Sequence, residues 1–219
     1  MQNRIAHSLF IKIITISIIL CMLNNQRIHA QKNIAGEYSL TGIMETASGL
    51  QLNTDSTFNF YFSYGALDRY GSGKWSLQNG NIILDSKPYP GKDFKLTKRS
   101  SEKNKFITIK IDDKNKNLFS LVYCFIKRPG GDTVLNADEN GIIIVKDAID
   151  SIHLLSELCS ERITSFPVTR QLYNSYTFEF EPWITEIFFK SFVLRYQEDH
   201  LEGKHPLLAD KEYNYRREK

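Results

Sequence analysis

Along residues 57–63 the side chains alternate without a break, Phe58, Phe60 and Phe62 standing between Thr57, Asn59, Tyr61 and Ser63. A period of two marks a strand with one buried face. Tyr64-Gly65 then turns, residues 66–69 are mostly polar, and Gly71, Gly73 and Trp75 lead back as a second strand, so the stretch 57–75 predicts a dense aromatic hairpin. Its neighbours repeat the pattern. Tyr38 and Leu40 alternate with polar residues, Leu50 and Leu52 begin another strand, and Asn53-Thr54-Asp55-Ser56 has hairpin-turn chemistry. Asn79-Gly80, set between the apolar alternations of 74–77 and 81–85, is the strongest short hairpin signal in the chain. Residues 93–97, beyond Pro88, Pro90 and Gly91, complete about six strands.

The polar run 99–105 predicts a linker. A second set of strands follows at 106–111, 118–126, 133–136 and 142–145, divided by turns at 112–117, at Arg128-Pro129-Gly130-Gly131 and at 137–141. Residues 151–158 and 176–181 supply later strands. Within 184–196 the spacing of Ile184, Ile187 and Phe188 suits a helix, but aromatic and β-branched content favours a strand. Residues 198–219 read as a polar tail anchored by Pro206-Leu207-Leu208. The expected fold class is all-β.

Two resemblances sharpen that expectation. The order Gly36-x-Tyr38, Leu50-x-Leu52, Asp55-x-Thr57-Phe58, Gly73-x-Trp75 and Ile82-x-Leu84 resembles lipocalin-like domains of bacterial envelope proteins. It implies an antiparallel half-barrel over 31–98, since six strands are too few for a closed eight-stranded calyx. Residues 106–146, with the Asp113 to Asn117 turn, Gly130-Gly131 and Asp138-Glu139-Asn140-Gly141, resemble the transthyretin-like regulatory domain found beside carboxypeptidases. That likeness implies a seven-stranded, Ig-like β-sandwich over 106–197 without catalytic residues of its own.

The first thirty residues belong to neither unit. Arg4 and Lys12 flank an eleven-residue apolar run at 13–23, and Ile28-His29-Ala30 resembles a signal-peptidase site. The pattern predicts export, cleavage after Ala30 and no membrane span in the mature chain. Leu20 ahead of Cys21 argues against a lipoprotein. The leader holds three basic residues and no acidic one. The remaining 25 of 28 Lys and Arg therefore balance 25 Asp and Glu, which leaves no bulk field for nucleic acid. Cys124 and Cys159 remain after cleavage, equally compatible with one disulfide and with two buried thiols.

Candidate chemistry is sparse. Asp199, His200, Glu202 and His205 are the densest set of metal-ligand types, but His200 and His205 would fall on opposite faces of a strand and no HExxH spacing occurs. A metal-dependent hydrolase using Asp199, His200 and His205 is therefore the alternative reading, and no cofactor is expected. The leading expectation is a non-enzymatic binding or scaffolding protein, periplasmic or at the cell surface. It would contact an envelope protein or small ligand through Tyr61, Tyr64, Asp68, Arg69, Tyr70 and Trp75 of the hairpin.

Overall fold

A computed structural model describes residues 34–127, 131–146, 148–169 and 172–218. The leader with its cleavage site, Cys21, and most of the Arg128-Pro129-Gly130-Gly131 turn lie outside the described residues. Among the described residues no helix is long and apolar enough to cross a membrane. The chain forms two compact units, one from residues up to 87 and from 187 onward, the other from 88–186.

The first unit begins with β1 (Gly36–Leu40), β2 (Thr46–Leu52), β3 (Thr57–Tyr64), β4 (Leu67–Gln78) and β5 (Asn81–Asp85). The second contains β6 (Phe94–Ser100), β7 (Ile107–Ile111), β8 (Val122–Ile126), β9 (Thr133–Asn136), β10 (Ile142–Val145), β11 (Ser151–Ser156), β12 (Thr164–Pro167) and β13 (Ser175–Phe180). After the two-residue β14 (Glu186–Ile187), the first unit is completed by β15 (Phe192–Tyr196), β16 (His200–Gly203) and β17 (Tyr213–Arg217).

These first-unit strands close on themselves. β1 to β5 form a meander, β5 pairs with β15, β15 to β17 continue it, and β17 returns to β1 with Tyr38 opposite Arg217, every pairing being antiparallel. The result is a closed eight-stranded barrel, where the sequence pattern implied an open six-stranded half-barrel. Of the three strands that complete it, β15 comes from residues expected in the sandwich, and β16 and β17 come from the segment expected to be a polar tail. There Leu201 alternates with His200 and Glu202, while Tyr213 and Tyr215 alternate with Asn214 and Arg216, so a buried face hides within a charged composition. The Asn79-Gly80 turn forms as expected, both residues at positive φ (50° and 80°), the backbone of a two-residue hairpin.

Inside the barrel, Tyr38, Leu50, Leu52, Phe58, Phe60, Phe62, Trp75, Phe189, Tyr213 and Tyr215 belong to one buried cluster. Phe189 packs edge-on against both Phe58 and Phe60, with ring centroids 5.3 Å apart in each case. Aromatic side chains fill space that a ligand would otherwise need.

The second unit has two four-stranded sheets, ordered β10-β7-β13-β6 and β12-β11-β8-β9, with β7 and β13 parallel. Both sheets feed one core, and Phe166 of the second meets Phe178 of the first at 4.7 Å. Residues 93–97, expected as the sixth strand of the first unit, lie here instead, because β6 pairs with β13. The stretch 99–105 is not a linker but the end of β6 and a loop of this unit after Ser100: the Asn174 side chain donates to the carbonyls of Glu102 and Asn104 and accepts from the Glu102 amide. The expected strand 118–126 is shorter. Asn115 caps a 3-10 turn (Lys116–Leu121) by accepting from the Asn117 amide, and extended backbone starts only at Val122. The strand favoured for 184–196 is interrupted, Ser191 adopting φ 45° just ahead of β15.

Candidate functional site

The two-residue period divides the six hairpin residues between two faces. Counting back from Trp75 along β4, Gly73, Gly71, Arg69 and Leu67 share its inward side. Trp75 is buried in the core, where its indole N–H donates to the Asn53 carbonyl at 2.9 Å. Arg69 is only 3 % exposed and stands opposite Phe62, which in turn stands opposite Ser48. Neither belongs to a surface. Tyr64 has the inward parity of Phe62 but ends its strand, at 54 % exposure. Tyr61, Asp68 and Tyr70 face outward together.

On this outer wall Tyr61 and Tyr70 are direct cross-strand partners, 42 % and 48 % exposed. Their neighbours are Gly49 opposite Tyr61, the pair Asn59 and Ser72 on one side, and the pair Ser63 and Asp68 on the other. A Cβ placed on Gly49 would fall 2.5 Å from Tyr61 Cε1 and 2.7 Å from its hydroxyl oxygen. The Cε1–hydroxyl end of the Tyr61 ring therefore lies over the glycine, and Tyr61 stays 42 % exposed. Any side chain at position 49 would lift it. Beside the tyrosines lies an open cleft of about 550 Å³, its lining including Thr57, Asn59, Ser72, Lys74, Asp85 and Ser86.

The barrel interior brings together a pair of residues that sequence reasoning did not join. His205, 5 % exposed, lies among Phe60, Phe62, Tyr213 and Tyr215, its Nε2 3.1 Å from Ser48 Oγ. The Leu207 amide donates to Nδ1 at 3.0 Å, so Nε2 carries the proton and donates to Ser48. The Ser48 hydroxyl in turn donates to the Tyr61 carbonyl at 2.8 Å. A hydrolytic Ser-His pair needs the reverse polarity, with imidazole accepting from serine. The network instead satisfies three polar groups inside an aromatic core, directly behind the Tyr61 wall. With its members 157 positions apart in the chain, the only prior signal was a small polar residue breaking the apolar face of β2.

Burial lowers the His205 pKa from 6.5 to about 4. The unfolded chain thus takes up a proton below pH 6.5 that the folded barrel refuses until about pH 4. Stability should be flat above this window, fall as pH drops through it, and level off below. The full span is worth about 3 kcal/mol by linkage. Urea unfolding at pH 7.5 and at pH 4 measures the difference, and His205→Gln should remove most of it. An equal pH dependence in that variant would assign the effect to other groups.

The remaining candidates separate. His200 faces outward with its Nδ1 2.7 Å from Asp199 Oδ1, while His205 faces inward, so the three proposed metal ligands cannot converge. Among the described residues no group of three or more His, Cys, Asp or Glu side chains is placed to hold a metal ion. Cys124 and Cys159 are separate buried thiols and no disulfide joins them. Cys124 lies within the second unit's core, where burial pushes its thiol up to about 11, whereas Cys159 sits near Arg162 and Tyr89. No protein-family model matches the chain, and neither the curated proteins nor the solved structures yield a match.

Proposed function

We propose that the protein is an exported, non-enzymatic binding module of the bacterial envelope, engaging its partner through the outer wall of β2, β3 and β4. One observation carries this reading: Tyr61 and Tyr70 stand side by side, each about half exposed, on a wall whose other face is a packed aromatic core. Tyrosine has only two side-chain torsions to fix on binding, and it combines apolar area with a polar tip. The interior supports the same reading, since its histidine and serine are spent on each other and on backbone groups. The leader-like first thirty residues support export. Eight antiparallel strands in a ring suit a lipocalin-like barrel, and two sheets over one core suit a transthyretin-like sandwich.

The test compares binding of the full chain to washed envelope material with that of a Tyr61→Ala/Tyr70→Ala variant, using Val193→Ala on the β15 wall as a control. Because both tyrosines are substantially exposed, the double variant should keep its unfolding midpoint while losing most of its binding. Equal binding by a folded double variant would contradict the reading.

A further inference from the structure

We infer that the ligand of the β2–β4 wall is a neutral saccharide, recognised by the Tyr61 and Tyr70 rings together with the adjoining cleft. This rests on the binding-module reading and adds the ligand class.

Charge distinguishes this wall from the rest of the barrel. Outward positions on β2 are Ala47, Gly49 and Gln51; on β3, Thr57, Asn59, Tyr61 and Ser63; and on the facing part of β4, Asp68, Tyr70, Ser72 and Lys74. Asp68 is their single carboxylate and Lys74 their single base, at opposite ends of the paired stretch. By contrast, the wall of β15 to β17 carries Arg195 paired with Glu202 and Glu212, and Asp199 paired with His200. The cleft adds Lys87 and Asp85 to Lys74, so a highly charged partner would meet both signs and would lose its own hydration against the tyrosines. Asn59, Gln51, Ser63 and Ser72 offer the short neutral donors and acceptors that match hydroxyl groups.

Ring orientation selects among neutral ligands. With its Cε1–hydroxyl end over Gly49, Tyr61 leaves 42 % of its surface open to solvent. The face of an aromatic ring is its negative surface and attracts positively polarised C–H groups. A pyranose has such C–H groups on its flat sides and hydroxyls around its edge. Laid on the Tyr61 face, it would direct those hydroxyls toward Asn59, Ser72 and the cleft of about 550 Å³ beside them.

The experiment is affinity electrophoresis of the full chain through gels containing β-glucan, xylan or galactomannan, with alginate as an anionic comparison. Retardation by at least one neutral polysaccharide and none by alginate is expected. Tyr61→Ala/Tyr70→Ala should weaken retardation about tenfold or more. Gly49→Ala should weaken it as well, by tilting a ring it leaves chemically intact, and Val193→Ala should not. Unfolding midpoints show which variants remain folded; should Gly49→Ala fail to fold, the tyrosine pair alone decides. Retardation by none of the three neutral polysaccharides, stronger retardation by alginate, or full retardation of the folded double variant would overturn the saccharide. If envelope binding is still lost with the two tyrosines while no neutral polysaccharide retards the chain, the ligand class falls and the binding wall stands. If neither measurement depends on the tyrosines, both fall.

Discussion

A chain ending at Glu212 should lose its barrel. Removing β17 strips β1 and β16 of their shared neighbour and takes Tyr213 and Tyr215 out of the core. Two buried tyrosines alone account for about 3–6 kcal/mol of lost burial. The two exposed strand edges and the uncovered faces of His205 and Tyr38 come on top. Small domains hold only about 5–15 kcal/mol in total, so the first unit should be largely unfolded at room temperature. Trp75 reports this directly, being buried in the barrel, and a Trp183→Phe background silences the second of the chain's two tryptophans. Full-length protein should show buried-indole emission and the truncated chain solvent-like emission. A blue-shifted Trp75 after truncation would mean that the barrel does not depend on closure.

Within the second unit the largest effect is expected from Asp93→Ala. Asp93 is fully buried, and Arg162 grips it with Nε 3.0 Å from both carboxylate oxygens and Nη2 2.9 Å from Oδ1. Arg162 further donates to the carbonyls of Glu186 at 2.7 Å and Ile184 at 3.0 Å. The Tyr89 hydroxyl donates to Asp93 at 2.7 Å, and burial together with the carboxylate raises the pKa of that phenol well above its ordinary value. The cluster thereby ties the start of β6 to β12 and to residues 184–186 through side chains that few other contacts could replace. Removing one partner leaves a desolvated guanidinium, at a cost of about 3–5 kcal/mol. Asp93→Leu/Arg162→Met should be milder than Asp93→Ala, because no orphaned charge remains. Urea midpoints of the three chains check the order. A double variant at least as unstable as Asp93→Ala would show that the orphaned guanidinium is not the source of the loss.

How much of this was legible in the sequence depended on how local the cause was. The Phe58-Phe60-Phe62 strand and the Asn79-Gly80 turn are set by adjacent residues, and both formed where the pattern placed them. Barrel closure is set by β1 meeting β17 across almost the whole chain, with residues 88–186 inserted between β5 and β15. No local period carries that information. In β16 and β17 the outward positions hold Glu202, Arg216 and other polar groups, so mean polarity concealed two short inward faces. Arg69 illustrates the opposite error. Its parity with Trp75 was countable, but its charge suggested surface, and the fold buries it. Of the six hairpin candidates, only Tyr61, Asp68 and Tyr70 share the outer wall. Gly49, which decides how Tyr61 lies, and Ser48 with His205, which sit behind it, needed the three-dimensional pairing to be seen.

The most direct measurement of binding at the β2–β4 wall is amide hydrogen exchange of the full chain, alone and bound to washed envelope material. Protection concentrated in 46–52, 57–64 and 67–72, and absent from the Tyr61→Ala/Tyr70→Ala variant, is the outcome predicted. Protection confined to 88–186, or a pattern unchanged by loss of both tyrosines, would contradict it.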